Sequence, residues 1–349
     1  MRSDPVESHG GFHPNPSEEM KYFRENRVYS VQIESTLSCP QGCLYCYASA
    51  KDAPTKELPR KDIHSVLDSA HRMGVRAVDW LGGDPLVRRD WYSLMRYAME
   101  RGLRNNIWTS GMPLEDIKVA RKVLEVSAGG FVSVHLDTLD ERTYKLIHTG
   151  DPGRKIKAIL TGVENLQSLG KDPNEMINCI TFTKIVAKDV QRTIEFFFKE
   201  KGMRTCLTQM CRAGLAKDRC DWVPDLKAVK TACEARDKIN YPGSRFSMGP
   251  MDTNKFYCGG MICVTIDGDV TPCSVIRKGY GNIHDTPLEK IVKEHKDDLL
   301  FLRLRNPKNQ PGPCRTCKNN PVCWGCRAAA FYEHSDILGL DPNCYISQL

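Results

Sequence analysis

Strand-like and helix-like patterns of apolar residues alternate six times along the first two thirds of the chain. The strands are predicted at residues 28–35, 75–81, 105–109, 131–136, 176–182 and 204–210. Between them, apolar side chains recur every three or four positions, which is typical of amphipathic helices. Such alternation favours a parallel sheet covered by helices. Because a complete barrel of eight units needs about 250 residues, we predict an α/β fold with a partial (β/α)6 barrel.

Composition divides the chain into four segments. A polar leader with several prolines, residues 1–25, is predicted to be poorly ordered. The barrel is predicted over 26–215, and a bridging helical segment over 216–255. A small cysteine-rich domain is predicted over 256–349, with short strands and one helix near 287–298. This last segment has too few apolar residues to fold well without crosslinks.

Cysteine is over-represented, with 16 cysteines in 349 residues. The chain has no apolar stretch of the roughly 18 to 20 residues that span a membrane, and its first residues resemble no secretory signal. We therefore expect a cytoplasmic protein that does not associate with membranes. Because a reducing compartment keeps thiols free and a chain of this length needs no disulfides, metal or cluster ligation is the favoured interpretation.

Three cysteines lie close together in the loop after the first predicted strand: Cys39, Cys43 and Cys46, with Gly42 where the backbone must turn. In folds of this type, catalytic residues lie at the carboxyl ends of the strands. Three thiolates leave one iron of a cubic iron–sulfur cluster open, and an open coordination position is typical of catalytic metal sites. The alternative is a structural zinc site that takes a fourth ligand from elsewhere.

The loop after the second predicted strand reads Gly82-Gly83-Asp84-Pro85. Paired glycines allow a ligand to approach the backbone closely, and their carbonyl groups can accept hydrogen bonds. An ordinary turn is the alternative. The cysteine loop on the neighbouring strand makes a ligand site the more specific interpretation.

These two loops, together with Tyr45 before the third cysteine, resemble the radical S-adenosylmethionine (SAM) superfamily over residues 26–215. The resemblance implies a [4Fe-4S] cluster held by Cys39, Cys43 and Cys46. The open iron of this cluster would bind the amino and carboxylate groups of SAM.

The same resemblance assigns SAM-binding residues on two further loops. Gly82, Gly83 and Asp84 are expected to receive the SAM amino group, although the family usually has Glu where this chain has Asp84. His135 lies at the strand end that approaches the SAM ribose and carboxylate in the family, where relatives often have Ser. A structural hydrogen bond is the alternative role for His135. From its position at the end of the sixth strand, Gln209 is expected to line the substrate space.

Eight more cysteines lie beyond residue 255, enough for two clusters with four cysteine ligands each. They are Cys258, Cys263, Cys273, Cys314, Cys317, Cys323, Cys326 and Cys344. A zinc module is the alternative. However, zinc ribbons usually have about 15 to 20 residues between their CxxC halves, and only five residues separate Cys317 from Cys323.

This second group resembles the SPASM extension of radical SAM enzymes. The early part, Cys258-X9-Gly268-X4-Cys273, matches the family pattern, whereas the last pair is spaced CX2C instead of CX3C. By the family's interleaved ligation, the resemblance implies two auxiliary [4Fe-4S] clusters. The first would take Cys258, Cys263, Cys273 and Cys326. The second would take Cys314, Cys317, Cys323 and Cys344.

The other five cysteines form no spaced motif; they are Cys179, Cys206, Cys211, Cys220 and Cys233. Cys179 and Cys206 lie in predicted strands. We expect these two side chains to be small buried hydrophobic groups.

The resemblance implies an oxygen-sensitive oxidoreductase with three [4Fe-4S] clusters. A ferredoxin or flavodoxin would reduce the first cluster, SAM would be cleaved to methionine and a 5′-deoxyadenosyl radical, and that radical would take a hydrogen atom from the substrate. The auxiliary clusters would accept an electron from the substrate radical. A non-enzymatic electron-transfer or zinc protein is a minor alternative.

The substrate class is predicted to be a peptide or protein side chain, as for the maturases among SPASM relatives. The alternative is a small metabolite such as a tetrapyrrole or a sugar. Ser274 follows the third auxiliary cysteine, where sulfatase maturases have a catalytic Asp, which argues against that activity. Only about 25 residues precede the first strand, so we expect either that a leader-peptide-binding protein is a separate chain or that the substrate needs none.

The formal net charge is +7 at pH 7, which by itself suggests nucleic-acid binding. Eleven ligand thiolates and three cluster cores would reduce this charge to about +2. We therefore expect no nucleic-acid partner.

Overall fold

The structure is a computed structural model that describes residues 15–52, 55–243 and 249–348. Residues 1–14 of the predicted leader lie outside the described residues.

One eight-stranded sheet forms the centre of the protein. Its strands are β1 (Ser30–Thr36), β2 (Ala77–Gly82), β3 (Arg104–Trp108), β4 (Val132–His135), β5 (Met176–Phe182), β6 (Arg204–Gln209), β7 (Met261–Val264) and β8 (Val270–Thr271). Their spatial order is β6-β5-β4-β3-β2-β1-β7-β8, and every neighbouring pair is parallel except β7 and β8. The open parallel sheet confirms the predicted α/β partial barrel.

Helices follow the strands, as the apolar spacing predicts. Those that precede or cover the barrel are α1 (Pro16–Arg24), α2 (Arg60–Arg72), α3 (Trp91–Glu100), α4 (Ile117–Val126), α5 (Glu141–Ile147), α6 (Pro152–Ser168), α7 (Val190–Lys201) and α8 (Leu226–Asn240). Those of the C-terminal part are α9 (Lys255–Cys258), α10 (Leu288–Glu294), α11 (Lys296–Leu299), α12 (Leu302–Arg305), α13 (Gly312–Arg315), α14 (Arg327–His334) and α15 (Tyr345–Gln348).

The first strand shows how the sheet separates its core from its cavity. Val31 and Ile33 are fully buried and belong to the main apolar core together with Ile63 and Leu67 of α2. Between them, Gln32 lines an interior cavity. Because side chains alternate along a strand, one face of the sheet packs on helices while the other faces the cavity.

The cysteine-rich domain contributes a strand to the barrel sheet, which the sequence did not predict. β7 pairs in parallel with β1, from Ser30 opposite Met261 to Ile33 opposite Val264. The buried carboxylate of Glu34 accepts hydrogen bonds from Ile266 N at 3.1 Å and from both terminal nitrogens of Arg277. The two parts of the chain therefore share one sheet and a half-buried ion pair.

The leader contains a helix where poor order was expected. In α1, Met20 is buried with Phe256, and the Phe23 ring packs edge-on against Phe256 at 5.2 Å between centroids. Glu18 forms ion pairs with Arg76 at 2.7 Å and with Arg104 at 2.6 Å. Helix α1 has only a short apolar stripe among polar residues, and the residues that it packs against lie far away in the sequence. Its structure therefore depends on tertiary packing.

Several apolar residues of the cysteine-rich domain, including Ile262, Val264, Val270 and Leu300, belong to the main core, which the sequence did not predict. The domain also contributes to two smaller apolar clusters. The larger one is built around Ile276, Phe301, Leu304, Trp324 and Ala328. Helix α14 was not predicted. Among the residues that the structure describes, no helix is both long and apolar enough to cross a bilayer.

Candidate active site

A cavity of about 290 Å³ opens at the carboxyl ends of the barrel strands. Its wall combines the cysteine loop, the glycine-rich loop, the ends of β3 to β6 and two residues of the cysteine-rich domain, Ser274 and Val275. This is the edge at which parallel α/β folds bind ligands. The two loops singled out by the sequence therefore meet at one cavity.

The three cysteines of the first group lie together on the cavity wall. Burial raises the pKa of the Cys39 and Cys43 thiols, and the neighbouring thiols raise the pKa of Cys43 further. The turn at Gly42 has a φ of +69°, which favours glycine. A set of three adjacent thiols fits an iron–sulfur cluster.

Lysine 155 of α6 holds the cysteine loop in place. Its Nζ donates hydrogen bonds to the carbonyl oxygens of Pro40 at 2.7 Å and Gln41 at 3.0 Å. Leu44 N and Ile147 O add a backbone hydrogen bond of 2.9 Å. The loop is thus fixed by polar contacts from outside the cavity, which leaves the cysteine side chains facing inward.

Gly82 and Gly83 line the cavity but also pack tightly on the cysteine loop. A Cβ at Gly82 would lie 2.1 Å from Thr36 O, and a Cβ at Gly83 would lie 2.1 Å from Ser38 O. No side chain fits at these distances, so glycine is required for the loops to approach each other. We expected these glycines to allow a ligand to approach the backbone closely. In the structure they allow the two loops to approach each other.

Asp84 lies at the base of this loop, fully buried, and does not line the cavity. Its carboxylate accepts hydrogen bonds from Leu86 N at 3.0 Å, from the Thr109 hydroxyl, and from both the backbone N and the hydroxyl of Ser110. These four donors tie β2 to the loop after β3. The structure therefore places Asp84 behind Thr109 and Ser110, which do line the cavity, rather than in direct contact with a ligand.

His135 lines the cavity at the end of β4 and belongs to a buried polar network. Its Nε2 lies 2.7 Å from the Tyr45 hydroxyl and 3.3 Å from Asp137 Oδ1. Asp137 also accepts hydrogen bonds from the Tyr45 hydroxyl and, at 2.7 Å, from His148 Nε2. His135 therefore has the structural hydrogen bonds that we gave as its alternative role, and it also lines the cavity.

The charges of this network follow from its burial. Burial opposes protonation of His135, but Asp137 raises the pKa of this histidine to about 10. The two histidines and the hydrogen bonds hold the pKa of Asp137 well below its usual range, and burial lowers the pKa of His148. Sequence reasoning missed Asp137 and His148. The available signal was an Asp two residues after a strand-end His.

The far wall of the cavity comes from β5 and β6. Gln209 lines this wall of the cavity. Cys179 and Cys206 lie opposite each other on these strands and are buried with Phe131 and Ile177, as predicted. Cys179 also lines the cavity, and the Cys206 thiol and His135 lower its pKa. Its cavity exposure was not predicted.

The eight cysteines beyond residue 255 fall into two groups. Burial, and then the neighbouring thiols of Cys273, Cys326 and Cys323, raise the pKa of Cys258. Cys263 lies in β7 opposite Gln32, and burial, Glu34 and the Cys273 thiol raise its pKa.

The second group surrounds the C-terminal residues. Burial and the thiols of Cys344 and Cys317 raise the pKa of Cys314. Burial and the Cys344 thiol likewise raise the pKa of Cys323 to about 12. Cys326 contributes to the raised pKa of both Cys258 and Cys273, so it lies near the early hairpin. Thiols are the donors of [4Fe-4S] clusters, and the buried carboxylate of Asp341 lies beside Cys314, Cys323 and Cys326. Within the described parts of the chain, no three Cys, His, Asp or Glu side chains are close enough together to hold a single metal ion.

Comparison with known proteins agrees with this geometry. Residues 33–197 match the sequence profile of the radical SAM superfamily, and residues 256–318 match that of SPASM, an iron–sulfur cluster-binding domain.

The chain is similar to two enzymes of Methanosarcina barkeri. It is 26% identical to Fe-coproporphyrin III synthase, over 93% of this chain and 90% of that protein. It is also 26% identical to AdoMet-dependent heme synthase, over 90% of this chain and 95% of that protein. Its fold is similar to that of Streptococcus suis SuiB bound to the precursor peptide SuiA, with a TM-score of 0.65 and 17% identity over 95% of this chain and 80% of SuiB.

Proposed function

This chain belongs to the radical SAM superfamily and carries a SPASM domain, and we propose that it is an oxygen-sensitive, SAM-dependent maturase that oxidises a peptide or protein side chain. The observation that carries the proposal is the single cavity into which the cysteine loop, the glycine-rich loop and Ser274 of the SPASM domain all face. The proposed domain bounds are 26–215 for the core and 256–349 for the SPASM domain.

We assign a separate role to each group of residues that forms the cavity. Cys39, Cys43 and Cys46 would hold the [4Fe-4S] cluster that cleaves bound SAM to a 5′-deoxyadenosyl radical. Gly82 and Gly83 would present backbone groups to the SAM amino group, with Asp84 fixing their loop through Thr109 and Ser110. Tyr45 would orient His135, which would approach the SAM ribose and carboxylate.

The charge of the cavity supports a peptide side chain as substrate. Among the described residues that line it there is no Lys, Arg, Asp or Glu. A coproporphyrin carries several carboxylates, whereas among the described lining residues the only cationic group is His135, which is already paired with Asp137, so burying those carboxylates there is unfavourable. A neutral side chain on an extended peptide meets no such penalty. SuiB, which shares this fold, was solved with its precursor peptide.

The eight SPASM cysteines would hold two auxiliary [4Fe-4S] clusters, with the ligand sets given in the sequence analysis. We further propose a ferredoxin or flavodoxin as electron donor and a separate protein for any leader peptide. The two thiol groups of the domain support this cluster count.

Oxidation of a tetrapyrrole is the second candidate. It is favoured by the similarity to Fe-coproporphyrin III synthase and to AdoMet-dependent heme synthase across at least nine tenths of this chain. Such a substrate would place its carboxylates outside the cavity.

The first test is SAM cleavage by the anaerobically reconstituted chain. We expect about 12 Fe per chain and release of 5′-deoxyadenosine after addition of dithionite and SAM. Cys43→Ala should lose about four Fe and all cleavage, whereas the control Cys220→Ala, at an exposed cysteine, should lose neither. Continued cleavage by Cys43→Ala would refute the site, and about one or two Zn in place of iron would refute the enzyme.

The second test separates the two substrates. Iron coproporphyrin III is incubated with the reduced enzyme and SAM, in parallel with any short peptide encoded beside the gene. Loss of mass from the peptide supports the first candidate. Consumption of the porphyrin, with loss of carbon dioxide or of hydrogen, supports the second.

A further inference from the structure

One segment of the SPASM domain carries nearly all of the net positive charge of the chain. Residues 299–332 contain six Lys and Arg residues and no Asp or Glu, whereas the net charge of the whole chain is +7. The six cations are Arg303, Arg305, Lys308, Arg315, Lys318 and Arg327. The same segment supplies Cys314 and Cys317 of the second thiol group. Positive charge is therefore concentrated where the second auxiliary cluster would lie.

Two of these cations point into the protein. Arg305 donates hydrogen bonds to the carbonyl oxygen of Phe23 and, at 3.0 Å, to that of Gly259. Arg327 is 4% exposed and donates at 2.8 Å to two carbonyl oxygens of the chain that follows α14. Both charges are thus used within the fold and cannot reach a partner.

The other four cations are exposed, and we call them the basic patch: Arg303, Lys308, Arg315 and Lys318. The Asn309 amide donates to the carbonyl oxygen of Arg303 at 2.9 Å, and the Arg315 guanidinium donates to that of Lys308 at 2.9 Å. These bonds hold the first three residues close together. Lys318 is three residues beyond Arg315, which limits the distance between their Cα atoms to about 11 Å. The ion pairs of the described residues include none of the four.

The basic patch surrounds two cysteines of the second group. Arg315 lies between Cys314 and Cys317 in the sequence, and Lys318 follows directly. A turn joins the two cysteines, in which Cys317 N donates to the carbonyl oxygen of Cys314 at 3.3 Å, and both side chains are partly exposed. A protein bound to the basic patch would therefore lie beside thiols proposed to hold the second auxiliary cluster.

A nucleic acid fits this surface less well. Proteins bind single-stranded nucleic acids by stacking the bases on aromatic rings. In this segment Phe301 and Trp324 are buried, and Phe331 and Tyr332 are half-buried. A nucleic acid would also gain nothing from the neighbouring thiols, whereas an electron carrier must approach them.

From this arrangement we propose that the basic patch docks an acidic one-electron carrier protein, which takes the substrate's electron from the second auxiliary cluster. Carboxylates of the carrier would pair with the four cations, and this complementarity would steer its approach. One electron leaves the reduced cluster and reduces the carrier, and no bond is formed or broken. The inference rests on the proposed function, because it requires that cluster and an electron from the substrate.

The test measures electron transfer from the auxiliary clusters alone, in a Cys43→Ala background that should lack the SAM cluster. The patch variant is Arg303→Glu/Lys308→Glu. The control variant is Arg121→Glu/Lys157→Glu, which makes the same change of charge at exposed positions of α4 and α6. Each protein is reduced with dithionite, desalted and mixed with oxidised flavodoxin or oxidised ferredoxin in a stopped-flow instrument. The rate of carrier reduction and the iron content are recorded.

We expect all of these proteins to keep about 8 Fe per chain. At low ionic strength the patch variant should reduce the carrier about tenfold more slowly than the background protein, because it has lost electrostatic steering. The difference should vanish near 1 M KCl, where the Debye length is about 3 Å. The control variant should react like the background protein.

Equal rates in the patch and control variants would overturn the inference, since the carrier would then dock elsewhere. A rate that stays low at 1 M KCl, together with loss of iron, would also overturn it, because the cations would then stabilise the cluster itself. So would a single-stranded oligonucleotide that binds the basic patch while the carrier rates stay equal. Failure of the proposed function looks different: the background protein would bind no iron, and the inference would then fail together with its cofactor set.

Discussion

The hydroxyl of Tyr45 lies 2.7 Å from Nε2 of His135, although the two residues are 90 positions apart in the sequence. Both side chains also bond to the buried carboxylate of Asp137. The loop that carries the three cysteines is therefore tied to the end of β4 through one carboxylate. This arrangement couples the position of the cysteine loop to the charge of His135.

The first prediction concerns pH. The pKa of His135 is raised to about 10 in the folded protein, above the unfolded value of about 6.5. The stabilisation by the imidazolium is complete below about pH 6.5 and is lost as the pH rises toward 10. The melting temperature of the wild type should therefore fall more between pH 7 and 9.5 than that of His135→Gln. His71→Gln, at an exposed position, should behave like the wild type; parallel curves for all three would contradict the prediction.

The second prediction concerns Lys155. Lys155→Met removes the donor to two carbonyl oxygens of the cysteine loop, and each unsatisfied buried group costs about 1–3 kcal/mol. We expect faster iron release to a chelator and less 5′-deoxyadenosine. Lys157→Met, two positions along the same helix and exposed, is the matched control. Equal iron release from the two variants would show that the loop does not depend on this contact.

The third prediction separates support from ligand contact at Asp84. In Asp84→Asn, the amide NH2 group cannot accept from Ser110 or Thr109, so the loss of charged hydrogen bonds should cost about 1.5–3 kcal/mol of folding stability. Asp84→Glu, the residue usual in the family, adds a methylene to a fully buried site and should cost about 1–3 kcal/mol. Melting temperature and SAM affinity by equilibrium dialysis are measured together. A tenfold loss of affinity without a change in melting temperature would mean that the carboxylate contacts SAM itself.

The fourth prediction concerns the contact between the two loops. In Gly83→Ala, the new Cβ meets the backbone oxygen of Ser38 at 2.1 Å, so the glycine-rich loop and the cysteine loop must separate. We expect reduced cluster content at the first site and loss of SAM cleavage. Gly312→Ala, where a Cβ meets nothing within 4 Å, should retain both. Full iron content in Gly83→Ala would show that the loops can move apart without harm.

The six strands of the barrel were predictable because their signal is local. In β1, for example, Val31 and Ile33 alternate with Gln32 and Glu34, and this alternation survives in the folded sheet. The cysteine loop was equally visible, since Cys39, Cys43 and Cys46 are neighbours in the sequence. In both cases the residues that form the pattern lie within a few positions of each other in the sequence.

Contacts between distant segments were not predictable in the same way. Nothing near Met261 indicates that β7 pairs with β1, because the pattern within a strand does not identify its partner. The role of Asp84 depends on Ser110, a residue 26 positions away. Such relationships are decided by the packed fold, whereas a periodic pattern reports only on one element.

The pairing of β7 with β1 also has a consequence for synthesis. Ser30 receives its partner Met261 about 230 residues after it leaves the ribosome, which at about 5–20 residues per second is a delay of roughly ten to fifty seconds. During that time the strand that leads into the cysteine loop has an unpaired edge, which is prone to aggregation. The nascent barrel therefore needs protection from aggregation until β7, in the last third of the chain, has been translated. A chain that stops before residue 261 retains this exposed edge permanently.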